Sequence, residues 1–214
     1  MKKIIIQICL AVLIGFLGFQ CYHSISVPQQ FTKIKKQRYE VVIQKLMDIR
    51  SAQEAFKSVN NRYTYDFDSL ISFIKYDSIK VVRSIGALTD EDLENGITEA
   101  TAIKMGKIIR DTVKVAALTD VFRENYPIDD LAYVPFTARK HKFKMGATMV
   151  ETTSGLDVPV FECKVSNMII FENIRDLYEE ELLQENGEKQ RLNKYPGLKV
   201  GDITELNNNV GNWE

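Results

Sequence analysis

The sequence predicts an α+β protein with an N-terminal transmembrane helix and amphipathic helices packed on an antiparallel β-sheet. Three patterns carry that prediction. Residues Ile4 to Phe19 are apolar except for Gln7. Val42, Leu46, Ile49 and Phe56 recur at steps of four, three and seven, the spacing of one helix face. Phe143, Met145, Ala147 and Met149 alternate with Lys142, Lys144 and Thr148, and Phe161, Cys163 and Val165 alternate again after a turn at Thr153-Ser154-Gly155, as half-buried strands do.

Extended through Tyr22, the apolar run has 19 residues, and at ~1.5 Å per residue it approaches the hydrocarbon thickness of a bilayer. Lys2 and Lys3 precede it directly and favour a cytoplasmic N-terminus. Lys33, Lys35, Lys36 and Arg38 pull the other way but start more than ten residues beyond the run. The region after the span is therefore expected outside the cytoplasm. Three alternatives use the same residues: a cleaved signal peptide ending at Ser24-Ile25-Ser26, the core helix of a cytosolic protein, and a lipid anchor on Cys21, which Gln20 fits poorly.

Val27-Pro28 is expected to separate the anchor from a second helix, because the residue before proline avoids the helical region. That helix carries the Val42 to Phe56 stripe, with Ala52 and Ala55 beside it and Lys, Arg, Gln and Glu elsewhere, and it stops at Asn60-Asn61, where asparagine tolerates the left-handed cap. Thr64 or Asp66 then caps a short helix with Phe67, Leu70, Ile71 and Ile74 on one face. Ile79, Val81 and Ile85 predict a strand. Thr89 to Asp92 caps a brief helix ended at Asn95-Gly96, and another covers Thr98 to Met105. Ile109, Val113, Val115 and Ala117 form one face of a further strand. Pro159 places the second hairpin strand at an edge or a strand start. From Met168 to about Asn186 a single helix is expected, with Ile170, Ile174, Leu177, Tyr178 and Leu182 on one side and Gly187 at its end. The resulting organisation is an anchor over 1–26, two amphipathic helices over 27–76, an α+β extracytoplasmic domain over 77–194 and a tail over 195–214, whose order depends on contacts such as burial of Trp213.

A formal charge of -1 and a pI near 6.2 over 214 residues argue against a nucleic-acid binder. The basic run Arg139, Lys140, His141, Lys142, Lys144 reads as a solvated hairpin end. No disulfide is available beyond the anchor, since Cys163 is alone there while Cys9 and Cys21 lie in or beside the apolar run. Only His23 and His141 are present, and His23 sits at the membrane boundary, so zinc chemistry is not expected. Cys163 with His141 would make a nucleophile and base, but Cys163 falls on an apolar strand face and reads as core. Asp66 and Asp68 read as helix caps and dipole partners. Asp202, Glu205, Asn207, Asn208 and Asn209 carry oxygen ligands of the kind calcium accepts but lack the EF-hand spacing. No phosphate-binding glycine loop and no G-x-S-x-G occurs. No catalytic, cofactor-binding or metal-binding residue is assigned, no small-molecule substrate is identified, and the chain is not expected to be an enzyme.

The span, its amphipathic continuation and AQEAFKSVNNRYTYDFDSL, Ala52 to Leu70, together resemble the type IV pilin and type II secretion pseudopilin family, with Ala52, Ala55, Phe56, Asn60, Asn61, Tyr63 and Leu70 at comparable places. The prepilin-peptidase signature with its glutamate inside the apolar run is absent, and Lys33 to Arg38 is expected to interrupt a continuous packing helix. Processing and polymerisation as a pilin are therefore not expected. The last 20 residues, Tyr195 to Glu214, resemble the ends of uncharacterised membrane-anchored bacterial proteins. The resemblance implies a bacterial inner-membrane protein with a periplasmic domain, serving as a structural or interaction subunit of a cell-envelope assembly. Its partners would be the membrane and other envelope proteins or further copies of itself. A cleaved or lipid-anchored binding module and an unrecognised enzyme are the alternatives.

Overall fold

In a computed structural model, which describes residues 2–94, 96–122, 125–152 and 154–214, the chain begins with α1 (Lys2–Asn60), a single helix of 59 residues. At ~1.5 Å per residue it is on the order of 90 Å long. Its N-terminal part is long and apolar enough to cross a membrane by length and composition, and the side chains from Leu10 to Tyr22 are exposed. Contrary to the expected separation at Val27-Pro28, the helix continues through Pro28. Proline removes one backbone hydrogen bond, and the helix regains its hold three residues later, where Phe31 is buried against the rest of the molecule. Lys33 to Arg38 does not interrupt it either.

From Phe31 onward α1 is the spine of the core. Val42, Leu46, Ile49 and Ala52 are fully buried and Phe56 nearly so, the face that their spacing predicts. Asn61 closes the helix in a left-handed conformation, its N–H donating to the Lys57 carbonyl at 2.8 Å. The chain then turns back into α2 (Phe67–Tyr76), which buries Phe67, Leu70, Phe73 and Ile74. Phe56 meets Phe73 edge to face, ring centroids 5.1 Å apart, an arrangement the aromatic quadrupole favours.

Two antiparallel sheets follow. β1 (Ser78–Ile85) pairs with β2 (Ile109–Ala116) as a two-stranded ribbon, Ile79 opposite Val115 and Ile85 opposite Ile109. Between these strands lie α3 (Asp90–Glu94) and α4 (Glu99–Lys104), close to their predicted places. Asn95 of the expected helix stop lies outside the described residues. Ala117, read as a strand residue, instead opens α5 (Ala117–Val121). The stretch after α5 supplies buried Ile128, Leu131, Ala132 and Val134 from a 3-10 turn and irregular chain.

The main sheet has the order β3, β4, β5, formed by β3 (Lys144–Glu151), β4 (Asp157–Ser166) and β5 (Gly197–Gly201). The predicted hairpin is present, with Met145 opposite Cys163 and Ala147 opposite Phe161; Thr153 of its turn lies outside the described residues. Phe161, Cys163 and Val165 are buried, as are Leu198 and Val200 of β5. β5 makes the segment expected as a tail an integral part of the sheet. Pro159 sits near the start of the central strand, before β5 begins to pair at Glu162, so its missing N–H interrupts no ladder there.

The single helix expected from Met168 is divided into α6 (Asn167–Ile170), a 3-10 turn over Glu172–Leu177 and α7 (Glu179–Arg191), which runs through Gly187. The break has a cause outside the segment. Arg38 of α1 takes the Ile170 carbonyl at 2.7 Å, an acceptor that a continuous helix would use internally. Leu177, placed on the apolar face by its spacing, is 72% exposed in consequence.

Candidate functional site

The junction where α1 enters the domain includes Lys35 and Arg38, from the stretch expected to interrupt the helix, together with Phe31 and Tyr39 on either side of it. Phe31 meets the rings of Phe171 and Tyr178 at centroid distances of 5.4 and 5.6 Å. The Arg38 guanidinium lies 4.9 Å from the Phe136 ring centroid and 5.8 Å from that of Phe171, while its Nη1 donates to Ile170 and to Asn173 Oδ1, each at 2.7 Å. A planar cation between two ring faces, with two acceptors on its Nη1, is a contact that lysine would not reproduce.

Tyr39, one residue on, donates its hydroxyl to Asn167 Oδ1 at 2.6 Å, and Asn167 donates on to Asn186 of α7 at 2.8 Å. Asn167 is fully buried and Asn186 nearly so, so this chain of bonds satisfies groups that would be costly to leave unpaired. Burial, and then the nearby Glu185 carboxylate, push the Tyr39 hydroxyl well above its usual range. Lys35 pairs with Glu185 at 2.8 Å, and Lys189 reaches the same carboxylate at 3.6 Å. Burial lowers the Lys189 ammonium. Lys33 and Lys36 remain exposed. The basic stretch is thus two-sided, and only tertiary contacts distinguish its sides.

Further along α1, Lys45 and Asp48 both engage the Tyr126 hydroxyl, at 3.2 and 2.6 Å, and Arg50 reaches Asn209 and Glu214 of the C-terminal segment at 3.2 and 2.8 Å. Gln53, placed on the polar face by its neighbours, is fully buried. Its amide pairs with both backbone groups of Thr64: Nε2 donates to the carbonyl at 2.6 Å and Oε1 accepts from the N–H at 3.1 Å. This pairing holds the α1–α2 turn on the spine. A glutamine two places from an alanine-rich face carries no sequence mark of such a role.

The residues with chemical potential are dispersed. Cys163 is fully buried in β4, and burial, with the Glu162 charge, pushes its thiol far up. His141 contacts Glu172 at 3.1 Å on the surface and is not brought to Cys163. Asp66 is the α2 cap, accepting from the Ser69 hydroxyl and N–H at 2.7 and 2.8 Å, bonds that lower its carboxyl. Asp68 lies exposed in the same first turn. Asp202 is occupied by Lys199 at 2.6 Å and by the N–H and hydroxyl of Thr204 at 2.8 and 2.5 Å. Burial alone would raise it, but these donors outweigh that and bring it to about 2. Asn207 accepts from the Asn209 N–H at 3.1 Å, and Asn209 donates to Tyr63 at 2.8 Å, so these amides serve the fold of their own segment; Glu205 and Asn208 are exposed. Among the described residues, no three His, Cys, Asp or Glu side chains converge as a metal site would require.

Outside the junction, a cleft of about 670 Å³ lies between the α1–α2 turn and the β3–β4 hairpin. Arg62, Tyr63, Tyr65 and Asp66 line one wall, and Ala147 and Met149 the other. No protein-family model, curated protein or solved structure significantly matches the chain.

Proposed function

We propose that this chain is a single-pass, membrane-anchored structural or interaction subunit of a cell-envelope assembly, pilin-like in plan, with its α+β region outside the cytoplasm of a bacterial cell. One observation carries the reading. The same unbroken helix presents an exposed apolar half, Leu10 to Tyr22, and buries its other half as the spine of an α+β body. Side chains such as Val12 and Leu13, 67% and 51% exposed, need an apolar environment that the body packed from the described residues does not supply, and a bilayer supplies it. The junction at Phe31, Arg38 and Tyr39 supports a positional role, because it couples the direction of the anchor to the body through aromatic and hydrogen-bonded contacts.

Alkaline carbonate extraction of membranes from cells making the full chain tests this reading. The chain is expected in the membrane pellet with residues 1–24 intact by mass spectrometry. A Ser154→Cys probe is expected to react with an impermeant maleimide added outside the cytoplasmic membrane. A soluble mature form starting near Val27 would replace the anchored reading with that of a secreted binding module.

A further inference from the structure

The unoccupied edge of β3 faces the cleft beside the α1–α2 turn, and we propose that it binds an extended, acidic peptide segment of another protein as a fourth strand. The direction of the β3 backbone groups follows from bonds at both ends of the sheet. The Thr152 N–H donates to the Leu156 carbonyl at 2.9 Å, which makes that pair a hydrogen-bonded one across the hairpin. Antiparallel pairs alternate, so the even-numbered residues of β3 bond to β4. The far side agrees. Gly201 donates to Val210 and Lys199 accepts from Asn212, at 3.1 and 3.0 Å, so neither turns its bonds toward Glu162 or Lys164, their partners in β4. Those two residues therefore bond to β3 at Gly146 and Lys144.

The odd-numbered residues of β3 consequently aim N–H and C=O at the open edge. Phe143, just before the strand, uses this edge by donating to the Ala132 carbonyl at 2.9 Å. Beyond it, the backbone groups of Met145, Ala147, Met149 and Glu151 have no hydrogen-bond partner among the described residues, apart from a 3.5 Å approach of the Thr148 hydroxyl to the Met149 carbonyl. A row of alternating donors and acceptors at strand spacing is the complement of one more strand.

Side chains narrow the class of partner. The odd-numbered face of the hairpin is the core face, and near its free end Met149 is half exposed, with Pro159 opposite it on β4. Together with Phe56 and Tyr63 these residues give the cleft apolar lining on both sides. Arg62, which lines the cleft, is exposed and has no ion-pair partner among the described residues, the Asp66 carboxylate beside it is taken up by the Ser69 N–H and hydroxyl, and Tyr65 is 73% exposed. Alternating apolar residues would face that lining, and a carboxylate would meet Arg62. A second copy fits less well, because it would bring its own Arg62 toward a cleft that already carries this cation. The proposal deepens the interaction-subunit reading and depends on that reading only for its setting.

The full chain in detergent micelles is titrated with a fluorescein-labelled peptide of alternating valine and threonine with one central aspartate, followed by fluorescence anisotropy and by amide hydrogen exchange. Saturable binding is expected, with slowed exchange at Met145, Ala147 and Met149. N-methylation of one amide on the pairing edge of the peptide should weaken binding about fivefold, the effect of one lost strand bond. Ala147→Pro removes an edge N–H that the protein itself does not use, and should weaken binding by about the same factor without lowering the thermal midpoint. Arg62→Glu should reverse the preference for aspartate over lysine in the peptide. No saturable binding, equal binding of the N-methylated peptide, or protection that rises with protein concentration without peptide would overturn the proposal, the last by assigning the edge to a second copy. A chain that stays in the carbonate pellet yet binds no peptide loses this inference alone. One that binds the peptide but extracts as soluble loses only the anchored reading.

Discussion

Cys163 shows how a reactive residue type becomes inert through position: its thiol is fully buried between two paired strands, and burial keeps it protonated. Cys163→Ser is expected to lower stability by about 1–3 kcal/mol, measured by urea denaturation, because a hydroxyl is buried without a designed partner. The folded wild type should react slowly with a thiol reagent at Cys163. Gln53 and Asp66 give a sharper comparison. Gln53→Ala strands both backbone groups of Thr64 in a buried setting, at an expected cost of about 2–4 kcal/mol, whereas Asp66→Ala removes an exposed cap, at about 1 kcal/mol. Equal losses would refute the assignment of Gln53 as the holder of the turn. Asp202 adds a pH dependence. Its carboxyl is lowered to about 2 in the folded chain, so its contribution is fully present above about pH 4 and disappears as pH falls through about 2. Asp202→Asn should flatten the fall of stability over that range.

Elements behave according to what they can close on. α1 tolerates Pro28 and the Lys33 to Arg38 stretch because buried residues from Phe31 to Phe56 hold it against the body, and secondary structure in proteins draws most of its stability from such faces. Phe56→Ala should cost about 3–5 kcal/mol, since it removes a ring that touches Phe73 and leaves a cavity at the junction of α1 and α2. A loss near 1 kcal/mol in chemical denaturation would mean that the two helices do not share this contact. The reverse case is the segment after β4, where a periodic apolar pattern predicted one helix and the chain forms three short pieces. Its Ile170 carbonyl is claimed by a guanidinium 132 positions away in sequence, which no local pattern encodes. β5 was hidden for a related reason: five residues with glycine at both ends make a strand only because β4 offers them an edge.

At the scale of the whole molecule, an exposed apolar half and a buried half meet along a single helix. Side chains from Leu10 to Tyr22 are exposed, whereas the domain core begins at Phe31. Leu13→Arg with Phe16→Arg should therefore release the chain from membranes, since each charge costs about 2.5–3.5 kcal/mol at the centre of a span. The thermal midpoint of the detergent-solubilised protein should not change, because neither residue belongs to the core. A lowered midpoint would show that the apolar half is part of the folded body.

The sequence by itself determined the apolar N-terminal helix, the α1 stripe from Val42 to Phe56, the Asn61 break, the α2 face and the β3–β4 hairpin, because each rests on a period or a cap written within a few residues. It also placed Cys163 in the core and Asp66 at a helix cap. Tertiary structure alone decided that Lys35 and Arg38 dock while Lys33 and Lys36 face outward, that Gln53 is buried, that Glu172–Leu177 leaves the α-helix, and that Gly197–Gly201 joins the sheet. In each case the deciding free energy comes from a partner far away in the chain, so the same residues read locally are compatible with either outcome.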